Sequence, residues 1–292
     1  MTKKYKIFNK LGLKSSINSS QYQSRLDQNP DFFEFYLTFD DVINHPNNIQ
    51  KAIDIVKEKV NPEKIILHHP SSTPLGKNNS TYNPNKNKKE QKQYNFFMIT
   101  SEILANLTIK NNVFMLLHGG YSLNKRSDKP DYDSIYKKPY DKEHRYIDII
   151  KSRINYFKNI SANHLMLENS ISTLFSFGKL EFDNEVKFLG VPLVYDISHA
   201  FIRLNGNNNE LIKSLKRLKP FISHYHIVDS MGKKHDSLTA GEGKINWEKI
   251  IPALNQNASY IFECKEDDLN KVDNELKSYV YLKKIQDKLN SK

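Results

Sequence analysis

The run Val191-Pro-Leu-Val-Tyr-Asp-Ile-Ser-His-Ala200 closes an apolar stretch with Asp196 and places His199 three residues later. A short apolar run bounded in this way reads as a buried strand. The carboxylate then arrives at the strand tip, and the imidazole sits in the turn just beyond it. Carboxylate oxygens and imidazole nitrogens are the donors that divalent cations take. Taken alone the pattern has simpler readings, because Asp opens helices as an N-cap and an isolated His is more often a packed structural residue. Repetition changes the balance. Five further apolar runs end in His or Glu, at His68, His118, Glu168, His226 and Glu263. Together with Asp196, His199 and His235 they make a mixed set that suits zinc, and also manganese or iron. The set is larger than one tetrahedral zinc can use, so two or more metal ions are expected. His69, beside His68, is an alternative ligand at that position.

These donors need elements that bring them to one place. Leu11–Ser15 and Phe32–Leu37 are candidate first strands, followed by Lys64–Pro70, Val113–Gly120, His164–Asn169, the run to Asp196, Phe221–Val228 and Tyr260–Glu263. Helical spacing follows most of them: Ile49, Ala52, Ile53 and Val56; Phe96, Ile103 and Leu107; Ile147, Ile150, Ile154 and Phe157; Leu211, Leu215 and Leu218; Leu269, Val272, Leu276 and Val280. Alternation of apolar strands with helices predicts a parallel α/β fold. Eight such units predict a closed (β/α)8 barrel, a single domain over residues 1–292, with its active site at the C-terminal ends of the strands. The ionisable residues fall at those ends. Isolated charges buried at so many strand tips would be costly, and a shared cation removes the difficulty. Residues 71–93 read as a polar loop carrying Lys86, Lys88, Lys89 and Lys92, and residues 121–140 as a second, with Tyr121, Tyr132, Tyr136 and Tyr140. Residues 170–189 read as irregular. His224 reads as structural, on the opposite side of its strand from His226, while His45, His144 and His164 read as surface or packing residues.

A length of 292 residues suits one barrel, and 11% aromatic residues can build its core despite only 38% hydrophobic content. The net charge of +11 favours a polyanionic partner, nucleic acid above all, unless the lysines merely solvate the surface. One cysteine, Cys264, excludes a disulfide framework. With neither a signal-peptide pattern nor a run long enough to span a membrane, a cytoplasmic protein without a membrane partner is expected.

The motifs then converge on a family. Leu67-His-His-Pro, Leu117-His-Gly-Gly, Leu167-Glu-Asn, Asp196-Ile-Ser-His-Ala-Phe201, His226-Ile-Val-Asp-Ser230, His235-Asp-Ser-Leu with Gly241-Glu-Gly, and Phe262-Glu263 stand in the order of the endonuclease IV family. The chain resembles that family, a branch of the xylose isomerase-like TIM barrels, over about residues 60–265. The resemblance implies a zinc phosphodiesterase that cuts DNA at abasic sites. It implies that Glu168, Asp196, His226 and Glu263 form the site shared across these barrels. His68, His118, His199 and His235 match the additional histidines of the nucleases. The chain departs from the pattern at Lys233, where the family has an Asp ligand, and at Ser71 and Ser72, where an aromatic residue commonly enters DNA. Leu117-His-Gly-Gly-Tyr is also similar to the UV-damage endonucleases.

Two activities follow. A phosphodiesterase acting on damaged DNA would use zinc ions, with Glu168 and Glu263 holding metal and orienting the nucleophile, and Lys86, Lys88, Lys89 and Lys92 meeting phosphates. A sugar isomerase or epimerase would use one divalent ion, zinc or manganese, on Glu168, Asp196, His226 and Glu263. The two glutamates would then exchange the proton. The extra histidines and basic charge favour the nuclease, whereas the departures at Lys233 and Ser71 favour the isomerase. A binding barrel with a degenerate site ranks behind both.

Overall fold

The structure, a computed structural model, describes residues 4–78, 85, 87–119, 144–171 and 176–292. Lys86 and the segment with Tyr121, Tyr132, Tyr136 and Tyr140 lie outside the described residues. The short apolar runs form eight strands: β1 (Gly12–Ser15), β2 (Phe32–Tyr36), β3 (Lys64–His68), β4 (Phe114–His118), β5 (Leu165–Glu168), β6 (Leu193–Asp196), β7 (Ile222–Ile227) and β8 (Ser259–Phe262). They pair in chain order, and every pair is parallel. Each lacks a solvent face, which is why the runs are apolar on both sides. β1 also lies against β8, so the sheet curls into a nearly closed TIM barrel. Gly12 makes that seam possible, since a Cβ there would lie 1.6 Å from the Tyr260 carbonyl oxygen.

Alternation along the strands sorts side chains into two layers. Phe33, Phe35, Leu67, Met115, Leu117, Leu167, Tyr195 and Phe262 face the helices and join the main core. Ile66, Leu116, Met166 and Val194 form a separate apolar cluster inside the barrel. The other half of the interior is polar. Lys14 stands opposite Glu34 in the β1–β2 register, and His224 and His226 lie on β7, all four buried. A barrel interior is ordinarily filled by branched apolar residues, so this sector is costly unless its charges are mutually satisfied.

The elements differ from the sequence reading in three places. The polar stretch 71–93 holds a short hairpin, Ser72–Thr73 with Gly76–Lys77, and the start of a helix, Lys88–Asn111. Lys88, Lys89 and Lys92 therefore stand exposed on helix rather than loop. Their polarity was that of a solvated helix end, capped by Asn87, whose side chain accepts the Glu90 N–H. The stretch 170–189 contains a helix, Leu180–Val186, with Phe182 and Val186 buried. The last helix, Asp273–Asn290, buries Leu282 and Ile285 instead of Val280, which is exposed, and Leu269 lies before it and is exposed. No helix among the described residues is long and apolar enough to cross a membrane.

Candidate metal centre

Parallel strands all deliver their last residues to the same end of the barrel. His68, His118, Glu168 and Asp196 are the final residues of β3, β4, β5 and β6, His226 is the penultimate residue of β7, and Glu263 follows β8. Glu168, Asp196, His226 and Glu263 each offer one donor atom within 4.8 Å of the others, and so do His68, His118 and Glu168. Glu168 belongs to both groups. Its Oε1 lies 3.2 Å from His226 Nδ1 and 3.5 Å from His199 Nδ1. Its Oε2 lies 3.2 Å from His68 Nε2 and 3.3 Å from His118 Nε2.

Proton positions follow from the partners, because a carbonyl or carboxylate oxygen can only accept. His68 Nδ1 is 2.8 Å from the His69 carbonyl and must donate to it. In the neutral ring its Nε2 then turns a lone pair toward Glu168. His226 Nε2 donates to Glu34 Oε2 at 3.1 Å, which leaves Nδ1 facing Glu168 Oε1 at 3.2 Å and Glu263 Oε2 at 3.0 Å. At these distances either a proton on Nδ1 or a bound cation must lie between the ring and the carboxylates. Glu168 Oε1, Asp196 Oδ2 and His226 Nδ1 are buried and have no hydrogen-bond partner. A divalent ion on the four-donor set fits this arrangement, since those orphaned atoms would be three of its four ligands and Glu263 the fourth.

The electrostatics point the same way. Burial together with the charges of Glu263 and Glu168 pushes the Asp196 carboxyl up to about 7. Burial would depress His226, but Glu34, Glu168 and Glu263 outweigh it and hold the imidazole well above its ordinary value, so without an ion Nδ1 keeps a proton whose place a bound cation would take. Burial would raise Glu168, yet His118 and His226 hold it well below the usual carboxylate range. Burial pushes His118 down to about 3, against the pull of Glu168.

Asp196 caps a helix with one oxygen and leaves the other free of that duty. Its Oδ1 caps the helix Ile197–Arg203 by accepting the His199 N–H at 2.7 Å, while Oδ2 faces the cluster. Asn169 accepts the Asp196 N–H at 2.7 Å and donates to its carbonyl at 3.0 Å, which pins the tip of β6 to β5. His199 Nδ1 donates to the Asn169 carbonyl at 2.9 Å.

His69 is turned away. Its Nδ1 donates to the Pro70 carbonyl, and its Nε2 meets the Thr100 and Ser101 hydroxyls at 2.9 and 3.0 Å, tying β3 to the helix Lys88–Asn111. His235 is exposed at the rim, its ring 5.1 Å from that of His199, and it belongs to none of the three donor groups among the described residues. Lys233 is exposed on the same loop. His224 does not point away from His226: residues two apart share a face of a strand. Both Nε2 atoms face Glu34 Oε2, at 3.6 and 3.1 Å. Its Nδ1 also pairs with Ser259 Oγ at 2.7 Å, and Glu34, His224 and His226 form a third group whose donor atoms lie within 4.8 Å of one another.

Sequence reasoning missed Lys14 and Glu34. The signal was present, since Glu34 interrupts Phe32-Phe-Glu-Phe-Tyr and alternation puts it on the face opposite Phe33 and Phe35. Lys14 Nζ reaches Glu34 Oε1 at 3.2 Å and Glu263 Oε1 at 2.5 Å. The Gly241-Glu-Gly motif proves to be a cradle for Asp229. That buried carboxylate accepts from the Ser230, Gly241 and Ile245 N–H groups and from Trp247 Nε1. A Cβ at Gly243 would lie 2.2 Å from Asp229 Oδ1.

Solved structures resemble the chain over nearly its whole length. A D-tagatose 3-epimerase-like protein is 19% identical, with TM-score 0.68 and coverage of 97% of this chain and 98% of that one. A protein from Thermus thermophilus, soaked with ZnCl2, is 12% identical with TM-score 0.65, covering 96% and 98%. An AP endonuclease, family 2, from Brucella melitensis is 13% identical with TM-score 0.60, covering 91% and 96%. At these identities the likeness shows the fold alone. No curated protein matches the sequence. The profile described as "Xylose isomerase-like TIM barrel" matches residues 30–279, and the chain belongs to that family.

Proposed function

We propose that the protein is a metal-dependent phosphodiesterase that cleaves DNA at abasic or otherwise damaged sites, with zinc as its most suitable ion. The observation that carries this reading is the division of Glu168. One oxygen faces His226 and His199, and the other faces His68 and His118. A carboxylate divided in this way could be shared between two donor groups, and a single-ion sugar site would not need His68 and His118 as ligands. Bound divalent ions would supply Lewis-acid activation of water and charge neutralisation at a phosphate. Glu168, Asp196, His226 and Glu263 would hold one ion, and His68 and His118 would hold a second with Glu168. Glu263, the most open of these carboxylates with 26% of its side chain exposed, would meet substrate at the mouth. Lys88, Lys89 and Lys92 are exposed on the helix that follows β3, and the net charge is +11. Both suit a phosphate backbone.

A second reading is a divalent-metal sugar isomerase or epimerase. Glu168, Asp196, His226 and Glu263 complete a four-donor site without help, and Lys233 stands where the nucleases carry a further Asp. Similar structures include both epimerases and an AP endonuclease. Zinc- and manganese-loaded protein assayed in parallel on an abasic-site duplex and on free ketoses separates the two. Strand cleavage that needs metal supports the nuclease. Epimerisation at a ketose carbon with the duplex left intact would replace it with the sugar enzyme.

A further inference from the structure

We propose that Lys14 and Glu34 are a positioning pair that fixes His226 as an Nδ1 ligand and presents one oxygen of Glu263 beside it. The inference rests on the reading of His226 as a metal ligand. It assigns roles to two buried residues on β1 and β2.

Each carboxylate is divided by Lys14. Glu34 Oε1 pairs with Lys14 Nζ at 3.2 Å, leaving Oε2 to accept from His226 Nε2 at 3.1 Å. Glu263 Oε1 pairs with the same ammonium at 2.5 Å, leaving Oε2 3.0 Å from His226 Nδ1. The ring of His226 can therefore keep its proton on Nε2 only, if Nδ1 is to give a lone pair. A carboxylate behind a ligating imidazole fixes tautomer and ring orientation and raises basicity. Glu34 is 0% exposed and Lys14 8%, so water does not compete for these contacts. His224 reinforces the arrangement sterically, with its ring perpendicular to that of His226 at 5.6 Å. Lys14 is itself held from behind, because Arg25 Nε donates to its carbonyl at 3.2 Å.

A buried Lys–Glu pair inside a barrel is a poor source of stability compared with apolar filling, and the opposite half of this interior is apolar. The pair is explained by what it orients.

The test uses the whole chain, stripped of metal, with zinc affinity measured by competition against a chelator, for wild type, Glu34→Gln and Glu34→Leu. Gln keeps an acceptor for the Nε2 proton but loses the charge, whereas Leu loses both. Affinity should fall by about 10-fold in Glu34→Gln and toward about 100-fold in Glu34→Leu. Nitrogen-15 spectra of histidine-labelled, zinc-loaded protein should show His226 ligated through Nδ1 with its proton on Nε2 in wild type and in Glu34→Gln. In Glu34→Leu that preference should be lost. Equal zinc affinity in wild type and Glu34→Gln overturns the positioning role, and so does an unchanged His226 tautomer in a folded Glu34→Leu. Should Glu34→Leu fail to fold, Glu34→Gln alone decides. A wild-type chain that takes up no zinc removes the metal centre itself, a different outcome from variants that match a zinc-binding wild type.

Discussion

His118 and Glu168 stand directly opposite each other in the β4–β5 register, with Nε2 3.3 Å from Oε2. Neighbouring parallel strands thus place an imidazole and a carboxylate side by side at the barrel mouth. The same carboxylate turns its other oxygen to His226 across the site.

Metal stoichiometry follows from that relationship. Wild type should bind at least two zinc ions per chain. His118→Ala should lose one and keep the ion on Glu168, Asp196, His226 and Glu263. His69→Ala should keep the full number but melt earlier, losing roughly 1–3 kcal/mol from a buried link between β3 and its helix. Elemental analysis beside thermal melts checks both variants. A His118→Ala protein with full metal content would leave the bridging role of Glu168 without support.

The four lysines between residues 86 and 92 give a cheap test of the DNA reading. Each phosphate contact releases counterions, so replacing Lys86, Lys88, Lys89 and Lys92 with Ser should make the salt dependence of duplex binding shallower by up to about 4 units. The exposed positions of Lys88, Lys89 and Lys92 mean that the barrel should be unaffected. An unchanged slope would reduce these side chains to a solvated surface.

Gly243 is the tightest point of the loop that carries His235. Gly243→Ala would drive a methyl group into the Asp229 carboxylate, 2.2 Å from Oδ1. Overpacking of this kind should cost roughly 1–3 kcal/mol and loosen residues 229–245 first. Hydrogen exchange of the Gly241 and Ile245 amides, both bonded to Asp229, reports it directly. Protection equal to wild type would show that the cradle tolerates a side chain.

Glu275 should make stability depend on pH. It is buried in the last helix, with Oε1 3.4 Å from Arg25 Nη2 and Oε2 lacking a hydrogen bond. Burial pushes its carboxyl up to about 8 despite the pull of Arg25. The unfolded group releases its proton near its ordinary value of 4.5, while the folded group keeps it until about 8. Stability contributed here is therefore present at low pH, falls between those values and is flat above them, with a slope of at most about 1.4 kcal/mol per pH unit. Denaturation midpoints across that window should decline more gently in Glu275→Gln. Parallel declines in the two proteins would exclude Glu275 as the source.

The sequence by itself determined the barrel and the strand tips that carry donors. Both are local properties. A run such as Leu165-Met-Leu-Glu168 makes a strand because its residues are apolar on two faces, and chain direction fixes which end holds Glu168. Because all the strands are parallel, the tips meet at one mouth. Local pattern also contained more than was read from it: a two-residue spacing already put His224 and His226 on one face. The tertiary structure alone decided between His68 and His69, because adjacent residues at a strand end turn to opposite sides and either could have faced the site. It alone joined Glu34 to His226, 192 residues apart, and Lys14 to Glu263, 249 apart. Those pairs depend on barrel closure and register, which set where each strand stands relative to strands far away in the chain. No window of sequence around Lys14 or Glu34 contains that information, so the charges that order the centre emerge only when the first strand meets the last.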